Sequence, residues 1–197
     1  MKLFSAFPFL LTLATALPQP EISAIDPKAC PGQLHKGDVA PLYIIPVSLK
    51  EPRKVFGSVF KPLVSPRDVC TWFAFDVPPD KGDSICALHF LLPLESQLTS
   101  SSYSLKGSGN FTFGAVWQTA STNLTPQTSW ETQPQPTIQA TQALSPGGLF
   151  AFSVGSCPAS SVFSRLFVRM CSEDTNFEYF QNNDQCPIGL WVSMYKF

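Results

Sequence analysis

Apolar residues recur along this chain in short runs, each closed by Gly, Pro, Ser or Asn. The clearest run, Val69 to Val77, has a period of two, with Thr71, Phe73, Phe75 and Val77 on one face. That is the signature of a strand, whose successive side chains point to opposite sides. Ile85 to Leu92 is continuously apolar, which fits a strand covered on both faces. Leu42 to Leu49, Val55 to Phe60, Tyr103 to Leu105, Phe111 to Trp117, Leu149 to Val154, Val162 to Met170 and Ile188 to Tyr195 continue the series. In Phe111 to Trp117, Phe111, Phe113 and Ala115 oppose Thr112 and the bare Gly114. In the last run Ile188, Leu190, Val192 and Met194 share a face. No stretch sustains a helical i, i+3, i+4 stripe, and 17 Phe and 19 Pro disfavour long helices. Short strands between turn signals predict an all-β fold, an antiparallel, jelly-roll-like β-sandwich.

Two segments break this rhythm. At the N-terminus, Lys2 is followed by an uncharged stretch, Leu3 to Ala16, that ends in Ala14-Thr15-Ala16. A basic start, an apolar run and a small-x-small site predict a signal peptide over residues 1–16. Pro18 and Pro20 come too soon for the roughly 20 apolar residues of a membrane span. Residues 17–38 then read as a loose arm ahead of a sandwich domain over 39–197. The second break is Thr119 to Pro146, where 19 of 28 residues are Ser, Thr, Gln or Pro. A solvated loop, or edge strands wet on both faces, is the favoured reading. An O-glycosylated or ligand-facing segment is the other. Trp130 in its middle calls for a pocket or a ligand.

Secretion makes the cysteines informative. Cys30, Cys70, Cys86, Cys157, Cys171 and Cys186 all follow the cleavage site, and an even count in a secreted chain reads as three disulfides with 15 connectivities. The nearest pair lies 14 residues apart, far from zinc-ligand spacing, so no metal is expected. The sequons Asn110-Phe111-Thr112 and Asn123-Leu124-Thr125 fit a glycoprotein. Without Lys2, 12 basic residues face 14 acidic ones, a balance without the clustered cations nucleic acid demands. The C-terminus lacks a lipid-anchor signal, and a monomer is expected.

Catalytic chemistry is sparse. Of two histidines, His35 and His89, the second sits in an apolar run and reads as a hydrogen-bonded structural residue. No G-x-S-x-G elbow occurs, and oxidised cysteines leave no thiol nucleophile. Asp76, Asp80 and Asp83 surround a turn that accounts for them. Glu173, Asp174, Glu178 and Asp184 crowd a second turn, read as a solvated hairpin tip, without an EF-hand pattern. No catalytic residue and no cofactor is assigned.

The order of motifs from about Thr71 to Met194 resembles the fungal secreted "But-two" C-terminal domain family. The carriers are Phe73-Ala74-Phe75-Asp76-Val77-Pro78, Cys86-Ala87-Leu88-His89-Phe90-Leu91-Leu92-Pro93 and Leu98-Thr99-Ser100-Ser101-Ser102-Tyr103. Ser145-Pro146-Gly147-Gly148, Cys157-Pro158, Tyr179-Phe180-Gln181 and Pro187-Ile188-Gly189-Leu190-Trp191 follow. The resemblance implies a β-sandwich behind a signal peptide and no set activity. The family name refers to binding of a ubiquitin-like modifier, a cytosolic partner that does not suit a secreted chain and is not carried over. The resemblance also implies a Cys86–Cys157 bridge. Cys171 ends one run and Cys186 precedes the next, so a bridge there would clamp a hairpin by closing a 14-residue loop. Such a closure contributes about 3 kcal/mol. Cys30 and Cys70 are then left to tie down the arm.

Three functions stay open: a non-enzymatic cell-wall or matrix protein that binds glycans, an effector-like factor acting on a host or competitor protein, and a hydrolase or lyase. The partner is accordingly a polysaccharide or an extracellular protein. A glycan binder needs exposed aromatic planes beside hydrogen-bonding groups, and Trp117, Trp130, Tyr179 and Phe180 are the candidates. Trp72 and Trp191 lie inside apolar runs and are expected in the core.

Overall fold

The computed structural model describes residues 29–196, so the signal segment and residues 17–28 of the arm lie outside the described residues. Within them lie β1 (Tyr43–Ser48), β2 (Leu63–Val64), β3 (Val69–Val77), β4 (Ser84–Leu92), β5 (Tyr103–Lys106), β6 (Asn110–Trp117), β7 (Ile138–Ala143), β8 (Gly148–Ser156), β9 (Ser164–Cys171), β10 (Asn176–Tyr179) and β11 (Gly189–Lys196), with one 3-10 turn at Glu95–Gln97. The all-β expectation holds. Five strands form a sheet in the order β1-β3-β9-β6-β7, and β2-β10-β5 and β11-β4-β8 form two smaller sheets. Every pairing between strands is antiparallel.

Alternation along the strands builds the core between the sheets. Phe73, Phe75 and Val77 of β3 meet Phe111 and Phe113 of β6, Leu88 and Phe90 of β4, Phe177 of β10 and Leu190 of β11 in one buried cluster. Phe177 sits at its centre, with ring centroids 5.5 Å from Phe111, 5.9 Å from Phe90 and 5.0 Å from Tyr179. Burial on this scale is the main favourable contribution to folding.

The five-stranded sheet is covered on its outer face as well. There Ile45, Val47, Trp72, Ala74, Val116 and Phe167 form a second cluster with Leu124. Leu124 belongs to the Ser/Thr/Gln/Pro-rich segment, so the solvated-loop reading is corrected for its first half: Thr128, Ser129 and Gln133 are buried too. Local hydrogen bonds make this possible. The Thr125 and Ser129 amides donate to the Thr128 and Thr132 hydroxyls at 3.0 and 2.9 Å, satisfying backbone groups that an apolar sheet cannot. Gly114 supplies the room, since a Cβ there would stand 2.7 Å from Pro136 Cγ. The second half of the segment is the edge strand β7, alternately half-buried and exposed.

The bridges are Cys86–Cys157, as the resemblance implied, Cys70–Cys171 and Cys30–Cys186. The expected Cys171–Cys186 and Cys30–Cys70 pairs are therefore corrected. The hairpin clamp assumed that β9 and β11 are neighbours, whereas β9 lies against β3 and β11 lies in another sheet. The register that sets Thr71 opposite Met170 carries Cys70 to Cys171. Their Cα atoms stand 4.5 Å apart, close to the spacing of a non-hydrogen-bonded antiparallel pair. Cys30 instead ties the arm to the loop before β11. Gln97 donates to the Ala29 carbonyl, and Val39 bridges Val192.

Two acidic turns also read differently in three dimensions. Asp76 lies on β3 and forms a two-pronged ion pair with Arg165 of β9, its Oδ2 accepting from Nη2 at 2.9 Å. Asp174 lies exposed in the β9–β10 turn, as the solvated reading expects, but its carboxylate is tied down. It accepts from the Ser108 and Thr175 hydroxyls, both at 2.7 Å, which joins the β9–β10 turn to the β5–β6 turn.

Candidate functional site

The four aromatic candidates occupy different environments. Trp117, half-buried at the end of β6, packs against the main core. Tyr179 is corrected: it is 1% exposed, stacked on Phe177 and edge-on to Phe90, so neither ring face is free. Burial pushes its phenol well above the ordinary range. Alternation on β10 explains this, because Phe177 and Tyr179 point inward while Glu178 points out. Phe180, half-buried, lines a cavity of about 170 Å³ with Lys61, Ser102 and Ser104. Trp72 and Trp191 are buried as expected.

Trp130 is half-buried against the second cluster and walls a cavity of about 460 Å³ on the outer face of the five-stranded sheet. Its neighbours there are Leu49, Arg67, Asp68, Cys70, Thr112, Arg169, Cys171, Ser172 and Glu173. The structure thus separates Trp130 from Tyr179 and Phe180, and the cavities that hold them share no residue. The volume falls within the range of small-molecule sites, roughly 300–1,000 Å³.

Gln133 fixes this wall. Its Oε1 accepts from the Trp72 indole at 2.9 Å and from Arg169 Nη1 at 3.2 Å, while its Nε2 donates to the Trp130 carbonyl at 3.0 Å. One buried amide therefore holds the loop carrying Trp130, the sheet carrying Trp72 and the guanidinium of Arg169 in register. Arg169 also lies over the Trp72 ring at 5.5 Å.

The charges of the cavity are unevenly satisfied. Asp68 accepts from the Ser48 hydroxyl at 2.6 Å and the Lys50 amide at 3.1 Å, and the Ser48 bond chiefly holds its carboxyl below the usual range. Glu173 pairs with Arg67 at 3.3 Å. Arg169 has no carboxylate within ion-pair distance among the described residues, and burial lowers its pKa from the ordinary arginine value. Sequence reading passed over Arg169. The available signal was the two cations, Arg165 and Arg169, inside the apolar run Val162 to Met170, which a strand buried on both faces does not need.

His89 accounts for its polar neighbours structurally. Its Nδ1 lies 3.4 Å from the Ser193 hydroxyl and its Nε2 3.0 Å from the Tyr195 hydroxyl. Ser193 is 2% exposed, and the Asp38 carboxylate accepts from the His35 amide instead. Asn110 and Asn123 are both exposed. Asn110 shares the outward face of β6 with Thr112, which lines the Trp130 cavity. No helix among the described residues is long and apolar enough to cross a membrane.

A search of the curated proteins finds none that matches this chain. The family model described as Ubiquitin 3 binding protein But2 C-terminal domain matches residues 39–185, which include β1 to β10 and every residue of the Trp130 cavity, and the chain belongs to that family.

Proposed function

We propose that this chain is a secreted, non-enzymatic protein of the cell wall or extracellular matrix that binds glycans through the Trp130 cavity. The observation that carries the reading is an indole held on the wall of a concave site, with hydroxyl, amide and charged groups around it. Sugar rings offer C–H-rich faces that pack on such a plane, and their hydroxyls need donors and acceptors like the exposed Thr112 hydroxyl. Three disulfides and the predicted signal segment support an extracellular destination. The two exposed sequons are proposed to carry N-glycans. The test is a polysaccharide panel with the secreted protein and Trp130→Ala. Binding lost at an unchanged melting temperature supports the reading, and binding untouched by the substitution removes it.

A protein partner is the second reading. The family description names ubiquitin 3 binding, and Val162 and Phe163, 66% and 64% exposed side by side between β8 and β9, offer an apolar contact. Titration with a ubiquitin-like protein, with and without Val162→Ser/Phe163→Ser, tests it. A complex that the double variant abolishes would favour this reading.

A further inference from the structure

Resting on the glycan reading, we infer that the Trp130 cavity selects acidic glycans, and that Arg169 recognises a uronate carboxylate beside the ring stacked on Trp130. Burying a cation is costly, and a fold bears that cost when a partner offsets it. The charged groups of the cavity are Arg67, Asp68, Arg169 and Glu173, with Lys50 at the edge. Asp68 is satisfied by Ser48 and by Lys50, whose Nζ lies 3.9 Å away. Glu173 and Arg67 satisfy each other.

Among the described residues, Arg169 alone of these groups lacks an oppositely charged partner. It is half-buried, it leans on the Trp72 ring, and among the described residues its side chain has one hydrogen bond, Nη1 to the neutral Gln133 amide. A guanidinium presents five donors in a planar fork that matches a carboxylate with two parallel bonds. Gln133 uses part of that fork and fixes its plane, so the rest is preorganised toward the cavity that Arg169 and Trp130 share. A neutral sugar would leave that charge uncompensated. A uronate supplies the missing anion and the ring face in one residue.

The probes are a trigalacturonate and its methyl ester, which has the same sugar skeleton without charge, titrated calorimetrically into the secreted protein. Triglutamate serves as an acidic competitor that lacks a sugar face. The acid is expected to bind at least about ten-fold tighter than the ester, the scale of one charge-assisted hydrogen bond. Arg169→Gln should bring the two affinities together, Arg169→Lys should keep part of the difference, and Trp130→Ala should weaken both ligands. Equal binding of acid and ester by the unaltered protein overturns the inference and leaves the glycan reading standing, and this holds even where Arg169→Gln fails to fold. A preference that survives in folded Arg169→Gln overturns it too. If neither sugar binds, the uronate inference falls while the polysaccharide panel still decides the glycan reading, and triglutamate competing as well as the uronate would overturn the assignment to a glycan.

Discussion

The three bridges are nested, with Cys86–Cys157 inside Cys70–Cys171 inside Cys30–Cys186, and this order sets what each contributes. Consider Cys70→Ala/Cys171→Ala in a Cys30→Ala/Cys186→Ala background, where the outer bridge offers no second path between the two cysteines. The sequence separation is 101 residues, and an isolated loop of that size corresponds to about 4.7 kcal/mol of unfolded-state restriction. The inner bridge already shortcuts that loop. With Cys86 joined to Cys157, the path from Cys70 to Cys171 has an effective length of about 30 residues, and the expected loss falls to about 3.7 kcal/mol. For a chain of this size that is a drop of about 7–15 °C in melting temperature. The same substitution in a background also lacking Cys86–Cys157 should cost about 1 kcal/mol more, a coupling that a double cycle in guanidinium reads directly. Equal losses in both backgrounds would refute the shortcut. A negligible loss in either would refute the account of this bridge as a restraint on the unfolded chain, and non-reducing peptide maps with Cys171 linked to Cys186 would refute the pairing itself.

Other perturbations test other layers of the structure. Gln133→Ala leaves the buried Trp72 indole N–H without its acceptor and frees Trp130, so a loss of about 1–3 kcal/mol in urea unfolding is expected, whereas a neutral result would deny Gln133 its joining role. Phe177→Ala empties the centre of the aromatic cluster and should cost about 3–5 kcal/mol, and a loss under about 1 kcal/mol would show that the core closes over the gap. Burial pushes the His89 imidazole below its usual range, so the folded state binds that proton less readily than the unfolded chain. Its contribution is therefore full above about pH 6.5 and is lost as the pH falls through the lower folded value. His89→Gln should flatten the fall in melting temperature over that window, and a variant that keeps the wild-type slope would contradict this.

What was legible in the sequence is what alternation encodes. Phe73, Phe75 and Val77 of β3, and Leu190 and Val192 of β11, announced their inward face because the opposing sheet demands apolar residues at every second position. Short or wet strands carried too little signal. β2 has two residues, β10 has four among turn-forming neighbours, and β7 is an edge strand with Gln and Thr on an exposed face. Val55 to Phe60 is apolar yet forms no strand, and Phe60 stays 81% exposed. The cysteine pairing failed for a related reason. Hairpin logic links neighbours in sequence, whereas β9 pairs with β3 from across the chain. The site was half legible, since Trp130 stood out in a polar segment, but Arg169 and Gln133 meet it only through the outer face of the five-stranded sheet.

The central claim is that the outer face of the five-stranded sheet, around Trp130, is where this protein meets its ligand. Chemical-shift mapping of the isotope-labelled secreted protein with an oligosaccharide series tests it most directly, because each cavity reports through its own residues. The account predicts that the Trp130 indole, the Thr112 amide and the Arg169 side chain move together and saturably, while Phe180 and Trp191 stay still. Shifts gathered instead at Phe180 and Lys61, or at Phe60 and Trp191, with Trp130 unmoved, would contradict it.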